Sequence, residues 1–286
     1  MPQLCVIHTI IQLKGETMLN LELKKEILIA TMFQKDFSLI EKMNVKTDAI
    51  ICNQTDHYAY DQVIQNNNTY KLFNFHEKGV GLNRNNALMR SKADVCILAD
   101  DDMVFYDDYA SKVESWFQKY PNADVLIFNI DEENSKRYKI VKPFKVNKFN
   151  YMRFGAARIV FKRESVTRKG IFFNLHFGGG TEHSAGEDVL FLNSCLKNNL
   201  IIMAVPDSIA KLVDDRPSTW FEGHTKKFFI DKGFLYEALS PKWAKLLSLQ
   251  FCIRRYRLFK EEVTFKNALK WTNEGIKQSK KIGERS

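Results

Sequence analysis

Short apolar runs alternate with polar or amphipathic stretches through the first part of the chain. Four of these runs predict buried strands, at residues 25–32, 48–52, 70–75 and 94–99. Helical patterns occur between them, at residues 36–43 and 80–91. Strands and helices that alternate at this spacing form βαβ units, so the sequence predicts an α/β fold with a mostly parallel central sheet flanked by helices.

The second half of the chain has a less regular pattern. A helix is predicted from Asp107 to about residue 120, followed by a strand at 123–130. Residues 131–175 are irregular and basic, with a strand at 158–162. A glycine loop at 178–180 precedes a helix that ends near residue 198, and strands near 200–213 lead into an aromatic-rich helical tail.

Polar side chains follow three of the predicted strands. They are Thr31 after the first strand, residues 53–56 after the second, and Asp100 to Asp102 after the fourth. In parallel sheets the ligand site lies at the carboxyl ends of the strands. We therefore expect these three segments to form one site.

The three consecutive aspartates point to a bound cation. Neighbouring carboxylates repel one another unless a cation or solvent compensates them, and Mg²⁺ typically takes one or two carboxylates together with phosphate oxygens. Asp100 and Asp102 face the same side of an extended turn. The alternative is a solvated acidic turn that caps the helix near Asp107.

A second acidic pair, Glu187-Asp188, follows Gly186 at the predicted start of a helix. The helix dipole favours an ionised carboxylate there, as a general base requires at neutral pH. Ordinary N-terminal capping is the competing interpretation.

The charge of the chain, net +9, is unevenly distributed. Residues 238–286 carry 12 Lys/Arg and 4 Asp/Glu, a net of +8, which leaves 31 basic and 30 acidic groups in residues 1–237. No acid occurs between 238 and 260, where basic residues mix with Trp, Leu, Phe and Tyr. Such a segment suits an anionic membrane surface, although a packed helix with a solvated basic edge explains it equally well. Nucleic acid is the weaker alternative, because no binding motif accompanies the charge.

Other features exclude whole classes of protein. The composition is not that of a disordered or low-complexity chain, and no apolar run approaches the roughly 18 residues of a spanning helix. The five cysteines form no zinc motif and suggest a reducing compartment, and we see no secretion signal. We expect residues 1–17 to be a leader ahead of a native start at Met18, because codons for residues 14–17 can form a ribosome-binding site.

The order of these motifs resembles family 2 glycosyltransferases of the GT-A (Rossmann-like) fold. The segment GVGLNRNNA at 79–87 resembles the family's G-V-S-x-x-R-N-x-G, ILADDDM resembles its D-x-D motif, and Gly-Glu-Asp at 186–188 resembles its E-D motif. The resemblance covers about residues 24–236. Two departures are notable: Asn53-Gln54 replaces an Asp that often reads uracil, and the processive Q-x-x-R-W signature is absent, with Ser218-Thr219-Trp220-Phe221 in a similar place.

The resemblance implies an inverting transfer of one sugar, of hexosyltransferase type, from a nucleoside-diphosphate sugar to a hydroxyl group. Asp188 would be the general base and Glu187 would orient the acceptor. The metal, Mg²⁺ or Mn²⁺, would be held by Asp100, Asp102 and His224. On the donor side the implied residues are Thr31, Asn53, Arg84, Asp100, Asp101 and Lys227. On the acceptor side they are Gly179, Gly180 and Trp220.

The implied setting is bacterial surface-polysaccharide synthesis, with a glycan or lipid-linked saccharide as acceptor. We expect a cytoplasmic protein, peripheral on the cytoplasmic face of the plasma membrane through residues 238–260, with no nucleic-acid partner. Three regions are predicted: an N-terminal extension at 1–23, the GT-A domain at 24–236 and a basic helical segment at 237–286. The rival classes are a nucleotidyltransferase, whose glycine-rich loop is missing after the first strand, and a non-catalytic membrane- or nucleic-acid-binding module.

Overall fold

The computed structural model describes residues 23–133, 137–213 and 223–283. The predicted N-terminal extension, apart from Leu23, lies outside these residues, as do Met18, Cys5 and the segment 218–221 with Trp220. The other four cysteines are free and buried, as the apolar runs around them predict.

The described strands form one sheet. They are β1 (Lys25–Met32), β2 (Asp48–Gln54), β3 (Ala59–Gln65), β4 (Asn68–Phe75), β5 (Val95–Asp100), β6 (Met103–Phe105), β7 (Val125–Asp131), β8 (Phe144–Lys145), β9 (Ile159–Lys162) and β10 (Ile202–Leu212). Their order is β3-β4-β2-β1-β5-β9-β7-β10-β6, with β8 paired to β10. Strands β4, β2, β1, β5, β7 and β10 run in one direction, whereas β3, β6, β8 and β9 run against their neighbours. The sheet is therefore mostly but not entirely parallel.

Helices cover both faces of the sheet. They are α1 (Ser38–Lys42), α2 (Val80–Arg90), α3 (Tyr109–Lys119), α4 (Arg163–Thr167), α5 (Glu187–Lys197), α6 (Lys226–Leu239), α7 (Ala244–Phe259) and α8 (Phe265–Gly283), with 3-10 turns at Tyr151–Arg153 and Ala156–Arg158. Side chains of a strand alternate between faces, so Leu28 packs in one apolar cluster with α2, α5 and α6, while Ile27 and Ile29 pack in another with α1 and α3. The predicted α/β layering is confirmed.

The sequence pattern missed one hairpin. Strand β3 pairs antiparallel with β4 through a turn at Asn66 and Asn67, both of which have positive φ (50° and 63°). Because β3 is an edge strand whose residues are mostly exposed, it shows no apolar run to detect. The predicted strands near 200–213 are a single strand, β10, whose register with β7 shifts around Pro206.

The C-terminal helices α6, α7 and α8 pack on one another around a small cluster that includes Phe229, Cys252 and Phe259. The predicted boundary between residues 236 and 237 falls inside α6, and the division into regions stays a prediction. Within the described residues, none of the helices combines the length and the apolar character needed to cross a bilayer.

Candidate active site

The three predicted strand ends meet at the carboxyl edge of the sheet. Ala30 of β1 is in register with Asp100 of β5, and Thr31 is in register with Asn53 of β2. Parallel pairing of β2, β1 and β5 therefore brings Thr31, Asn53 and the aspartates to one place, as expected from the strand pattern.

The aspartate triplet has one carboxylate tied to β1 and another with one buried oxygen that lacks a hydrogen-bond partner among the described residues. The Thr31 hydroxyl donates a hydrogen bond to Asp101 Oδ2 at 2.5 Å. In the described structure, Asp102 Oδ1 is buried and accepts no hydrogen bond. Burial raises the pKa of Asp102, and the charges of Asp100 and Asp101 raise it further. A carboxylate in this state gains from a cation in the same space.

Arg84 of α2 joins the two acidic motifs. Its Nη2 donates to Asp100 Oδ1 at 2.7 Å and its Nη1 donates to Glu187 Oε1 at 2.8 Å, although the two carboxylates are far apart in sequence. The residue is only 4% exposed and lies over the ring of Phe173. Burial alone would lower the pKa of the guanidinium, but Asp100 and Glu187 outweigh it and raise the pKa. The arginine is therefore permanently charged and fixes one carboxylate from each motif.

The Glu-Asp pair opens α5, as predicted. Glu187 Oε2 accepts the N–H of Gly186 at 3.1 Å, in addition to the bond that Oε1 makes with Arg84. Gly178 packs directly against this carboxylate: a Cβ there would lie 2.8 Å from Glu187 Oε2, and its φ of 102° also favours glycine. The glycine loop thus provides the room that Glu187 needs.

The pKa of Asp188 is raised above that of an ordinary aspartate. Burial raises its pKa to about 7 and the charge of Glu187 contributes, while a hydrogen bond from the Val189 N–H and the charges of Arg84 and Lys232 act in the opposite direction. The expectation that this carboxylate is kept ionised is therefore wrong in direction, because desolvation and the charge of Glu187 outweigh the Val189 hydrogen bond and the nearby positive charges. A carboxylate with a pKa near 7 is well matched to proton transfer at neutral pH.

The amide of Asn53 is fully used inside the protein. It accepts the N–H of Gln34 at 2.9 Å and donates to the carbonyl of Gln34 and to Asn74 Oδ1, both at 2.8 Å. Asn53 therefore fixes the segment that follows β1. At the tip of this segment Phe33 is 72% exposed and has φ of 56°, which is unusual for a bulky residue. Sequence reasoning missed Phe33, although an aromatic residue directly after a ligand-edge strand was available as a signal.

The other glycines of the loop lie beside α2. The carbonyl of Gly179 accepts the Val80 N–H at 2.9 Å, and Gly180 approaches the backbone of Gly79 closely. Gly79 in turn donates to Gln54 Oε1 at 2.8 Å. Gly179 and Gly180, which the resemblance put on the acceptor side, thus pack against the half of the sheet that carries the predicted donor residues. Their role in acceptor binding stays a prediction.

His183 and Asp231 form a buried polar pair beside the glycine loop, and the exposed Lys227 contacts that pair. His183 Nδ1 lies 3.0 Å from Asp231 Oδ1, and its ring stacks near Phe234. Lys227 Nζ contacts Asp231 Oδ2 at 2.8 Å and the carbonyl of Glu182 at 2.6 Å. Burial opposes ionisation of Asp231, but the hydrogen bonds from His183 and Lys227 outweigh it and lower its pKa. The sequence did not reveal this His–Asp pair, since its two members are 48 residues apart in the chain.

His224, predicted as a third metal ligand, lies in the C-terminal helical layer. Its Nδ1 is 2.6 Å from Glu262 Oε1, and its ring packs at right angles to Phe228. Across the residues described, no group of three or more His, Cys, Asp or Glu has the geometry of a metal centre. The residues that fit a divalent cation are Asp100 and Asp102, because Asp102 presents the unpartnered buried oxygen and hard cations prefer carboxylate oxygens.

A mostly parallel sheet with an acidic turn after β5 and an acidic pair at the start of a later helix is the arrangement expected of the GT-A fold. Residues 50–179 match the family model described as Glycosyl transferase family 2. The matched region covers 130 of the 286 residues, and together with the shared fold it supports the glycosyltransferase class expected from the motifs. A sequence search of curated proteins gives no significant match.

Solved structures agree on the fold. The chain is similar to S. aureus TarS 1-349 in complex with UDP-GlcNAc, with a TM-score of 0.61 and 15% identity over 87% of this chain and 78% of that one. The UDP complex of the same fragment gives a TM-score of 0.58 and 14% identity over the same shares, and the fragment without a stated ligand gives 0.55 and 13% over 90% and 83%. At this identity the likeness shows the GT-A fold.

Proposed function

We propose that the protein is a metal-dependent, inverting glycosyltransferase that moves one sugar from a nucleoside-diphosphate sugar to a hydroxyl of a glycan or lipid-linked saccharide. One observation carries the proposal: Arg84 bonds both Asp100 of the D-x-D turn and Glu187 beside the candidate base. The two motifs that the reaction requires are thereby held in one ionic network. The fold shared with a UDP-GlcNAc complex of TarS supports a nucleotide-sugar donor.

Donor binding would use the carboxyl edge of β1, β2 and β5. Asp100 and Asp102 would hold Mg²⁺ or Mn²⁺, which when bound would stabilise the negative charge of the departing diphosphate. Thr31 orients Asp101 in the same turn. Asn53 fixes the backbone of Gln34, the residue next to Phe33. The exposed ring of Phe33 offers a stacking surface for a nucleobase.

Transfer needs a base at the acceptor hydroxyl. In the proposed step the hydroxyl oxygen forms a bond to the anomeric carbon from the face opposite the diphosphate, and the carbon–oxygen bond to the diphosphate breaks with its electron pair. Asp188 accepts the proton of the hydroxyl. Its pKa of about 7 makes it both deprotonated in a large fraction of molecules and basic enough to take the proton. Glu187, fixed by Arg84, positions the acceptor.

A peripheral position on the cytoplasmic face of the membrane is part of the proposal. Trp243, Leu246, Leu249 and Ile253 are exposed at spacings that place them on one face of α7, in a segment without acids. An anionic bilayer complements this basic and apolar face. It would bring a lipid-linked acceptor of surface-polysaccharide synthesis to the enzyme.

Sedimentation with phosphatidylglycerol vesicles tests the membrane face. Ile253 and Leu258 are each 61% exposed on α7, but they are about 140° apart around the helix. We expect Ile253→Glu to lower the bound fraction and Leu258→Glu to leave it nearly unchanged. Equal effects of the two substitutions would refute a face-specific contact.

The function itself is tested by a thermal-shift panel of nucleoside diphosphates and nucleotide sugars with and without Mn²⁺. We expect one diphosphate series to raise the melting temperature, and Mn²⁺ to increase that effect. The variant Asp188→Asn should keep the donor response and lose turnover. A protein that responds to no nucleotide, with or without metal, would contradict the proposal, and a binding module would be indifferent to Asp188→Asn.

A further inference from the structure

Positive charge is concentrated in one segment of the catalytic region. Residues 137–163 contain nine Lys/Arg and no Asp or Glu, so the rest of the chain, with 34 of each sign, is neutral in sum. This segment is separate from the basic tail. Its charge is hidden in the averaged composition, because acidic groups elsewhere in residues 1–237 compensate it.

The segment reaches the candidate base. Strand β9 runs antiparallel to β7 with Ile159 opposite Ile127, so the turn Ala156–Arg158 that precedes β9 lies towards the carboxyl edge of the sheet. A Cβ on Gly155 would be 3.6 Å from Asp188 Oδ2, and the turn Tyr151–Arg153 packs against α5. The backbone around Gly155 therefore forms a wall of the space in front of Asp188.

Arg158 places an uncompensated charge at this wall. It is 4% exposed, and its guanidinium donates only to neutral oxygens: the carbonyl of Phe128 at 2.6 Å, the carbonyl of Tyr138 at 2.9 Å and Asn129 Oδ1 at 2.8 Å. Within the described part of the chain it forms no ion pair. Burial lowers its pKa to about 10, and the charge of Arg137 adds to the effect. A buried cation without a counter-ion is costly, so a function that uses its field is the economical explanation.

A cavity of about 240 Å³ lies over Arg158 and carries further cations at its rim. Its two carboxylates already have partners: Asp131 accepts bonds from Tyr106 and Ser208, and Glu132 pairs with Arg137 at 3.1 Å. The lining thus holds three cations (Arg137, Lys139 and Arg158) against two carboxylates, a net charge of +1.

Between this cavity and Gly155 stands an exposed aromatic–cation pair. The guanidinium of Arg153 lies over the ring of Tyr138 at 4.5 Å from its centre, and both side chains are exposed. An aromatic face packs against the apolar face of a sugar ring, while a guanidinium binds phosphate or carboxylate. The two groups together suit a sugar that carries an anionic substituent.

We propose that the acceptor is an anionic saccharide chain that bears phosphate or carboxylate groups. It lies along Tyr138, Lys139 and Arg153 and is attracted by the field of Arg158. One of its hydroxyl groups reaches Asp188. This inference rests on the proposed glycosyl transfer and names the chemical class of its acceptor. Electrostatic attraction of this kind raises local substrate concentration and falls steeply with ionic strength.

The test compares three labelled dextrans of equal length, one neutral, one phosphorylated and one carboxymethylated, for binding to the full chain by fluorescence anisotropy at low salt. The patch variant is Lys139→Glu/Arg153→Glu, and the matched control is Lys270→Glu/Lys277→Glu, which makes the same charge change on exposed residues of α8. We expect the charged dextrans to bind and the neutral one not to bind. The patch variant should weaken binding by about tenfold or more, and the control by less than about twofold.

The phosphorylated and carboxymethylated arms show which anionic group is preferred, and hydrogen exchange should show protection within residues 137–158. The inference would be overturned if the two variants lost binding equally, or if the patch variant bound within about twofold of the parent. Tighter binding of a single-stranded RNA oligonucleotide to the same patch would also overturn it. All variants should keep the melting-temperature response to a nucleoside diphosphate with Mn²⁺. Loss of that response in the parent protein would instead remove the proposed function.

Discussion

Replacing Arg84 by methionine should destabilise the fold more than any exposed charge substitution. Methionine keeps much of the length of the side chain but removes the guanidinium that bonds Asp100 and Glu187. Removal of one partner from a buried ion pair leaves an uncompensated charge and costs roughly 3–5 kcal/mol. The side chain of Glu187 is 12% exposed and that of Asp100 is 39% exposed, so water compensates Asp100 in part.

We therefore expect a loss of about 3 kcal/mol in the free energy of unfolding, dominated by Glu187. For a chain of this size, that loss corresponds to a fall in melting temperature of about 5 °C. Arg90 on the same helix offers the matched control. Its guanidinium lies over the rings of Phe73 and Phe75 and bonds Asn86, with no carboxylate among these contacts. Arg90→Met should cost about 1 kcal/mol or less.

Denaturant titration of the two variants and the parent measures both effects. A second pair of variants separates charge from packing: Arg84→Met/Glu187→Gln should recover part of the stability that Arg84→Met loses, because it removes the unpaired buried charge. A loss below about 1 kcal/mol in Arg84→Met, or no recovery in the double variant, would refute the argument that one arginine holds the two motifs through charge.

Three further predictions follow from the site. Burial and the charge of Glu187 disfavour the ionised form of Asp188. We therefore expect kcat/KM to fall about tenfold per pH unit below about pH 7 and to level off above it. A flat profile from pH 5 to 8 would rule out Asp188 as the base. Asp102→Asn, which neutralises a half-buried carboxylate whose Oδ1 has no hydrogen-bond partner within the described structure, should not lower the melting temperature in EDTA but should abolish the gain on adding Mn²⁺. An equal gain in both proteins would place the metal elsewhere. Phe33→Ala should raise the KM for the donor about fivefold to thirtyfold with little change in kcat, and an unchanged KM would exclude base stacking.

Much of this architecture could be predicted from periodicity alone. The central residues of β1, β2 and β5 are apolar because both faces of a central parallel strand are covered, and such runs are easy to detect. Once these strands are parallel, geometry requires Thr31, Asn53 and Asp100 to meet. Strand β3 could not be detected in this way, since an edge strand that packs little apolar surface has no pattern to show.

Individual roles at the site were harder to predict, because they depend on burial. Residue type and position marked Asn53 as a donor contact, but its amide is fully used in holding Gln34 and Asn74. The same limitation applies to Asp188, where the position at a helix N-terminus indicated an ionised group and desolvation reversed the direction of the pKa shift. A sequence pattern specifies which groups approach one another, whereas solvent access sets their charge state.

The ionic network at Arg84 has a consequence for how the two halves of the site act together. Asp100 belongs to the turn that would hold the metal and the diphosphate, and Glu187 is adjacent to the base that would meet the acceptor. Asp100 and Asp102 would share their charge with a cation held between them, and Arg84 would then be attracted more strongly to Glu187. The charge of Glu187 is one of the causes that raise the pKa of Asp188. When Arg84 neutralises Glu187 more strongly, Glu187 repels the ionised carboxylate of Asp188 less. Binding of the cation should therefore lower the pKa of the base.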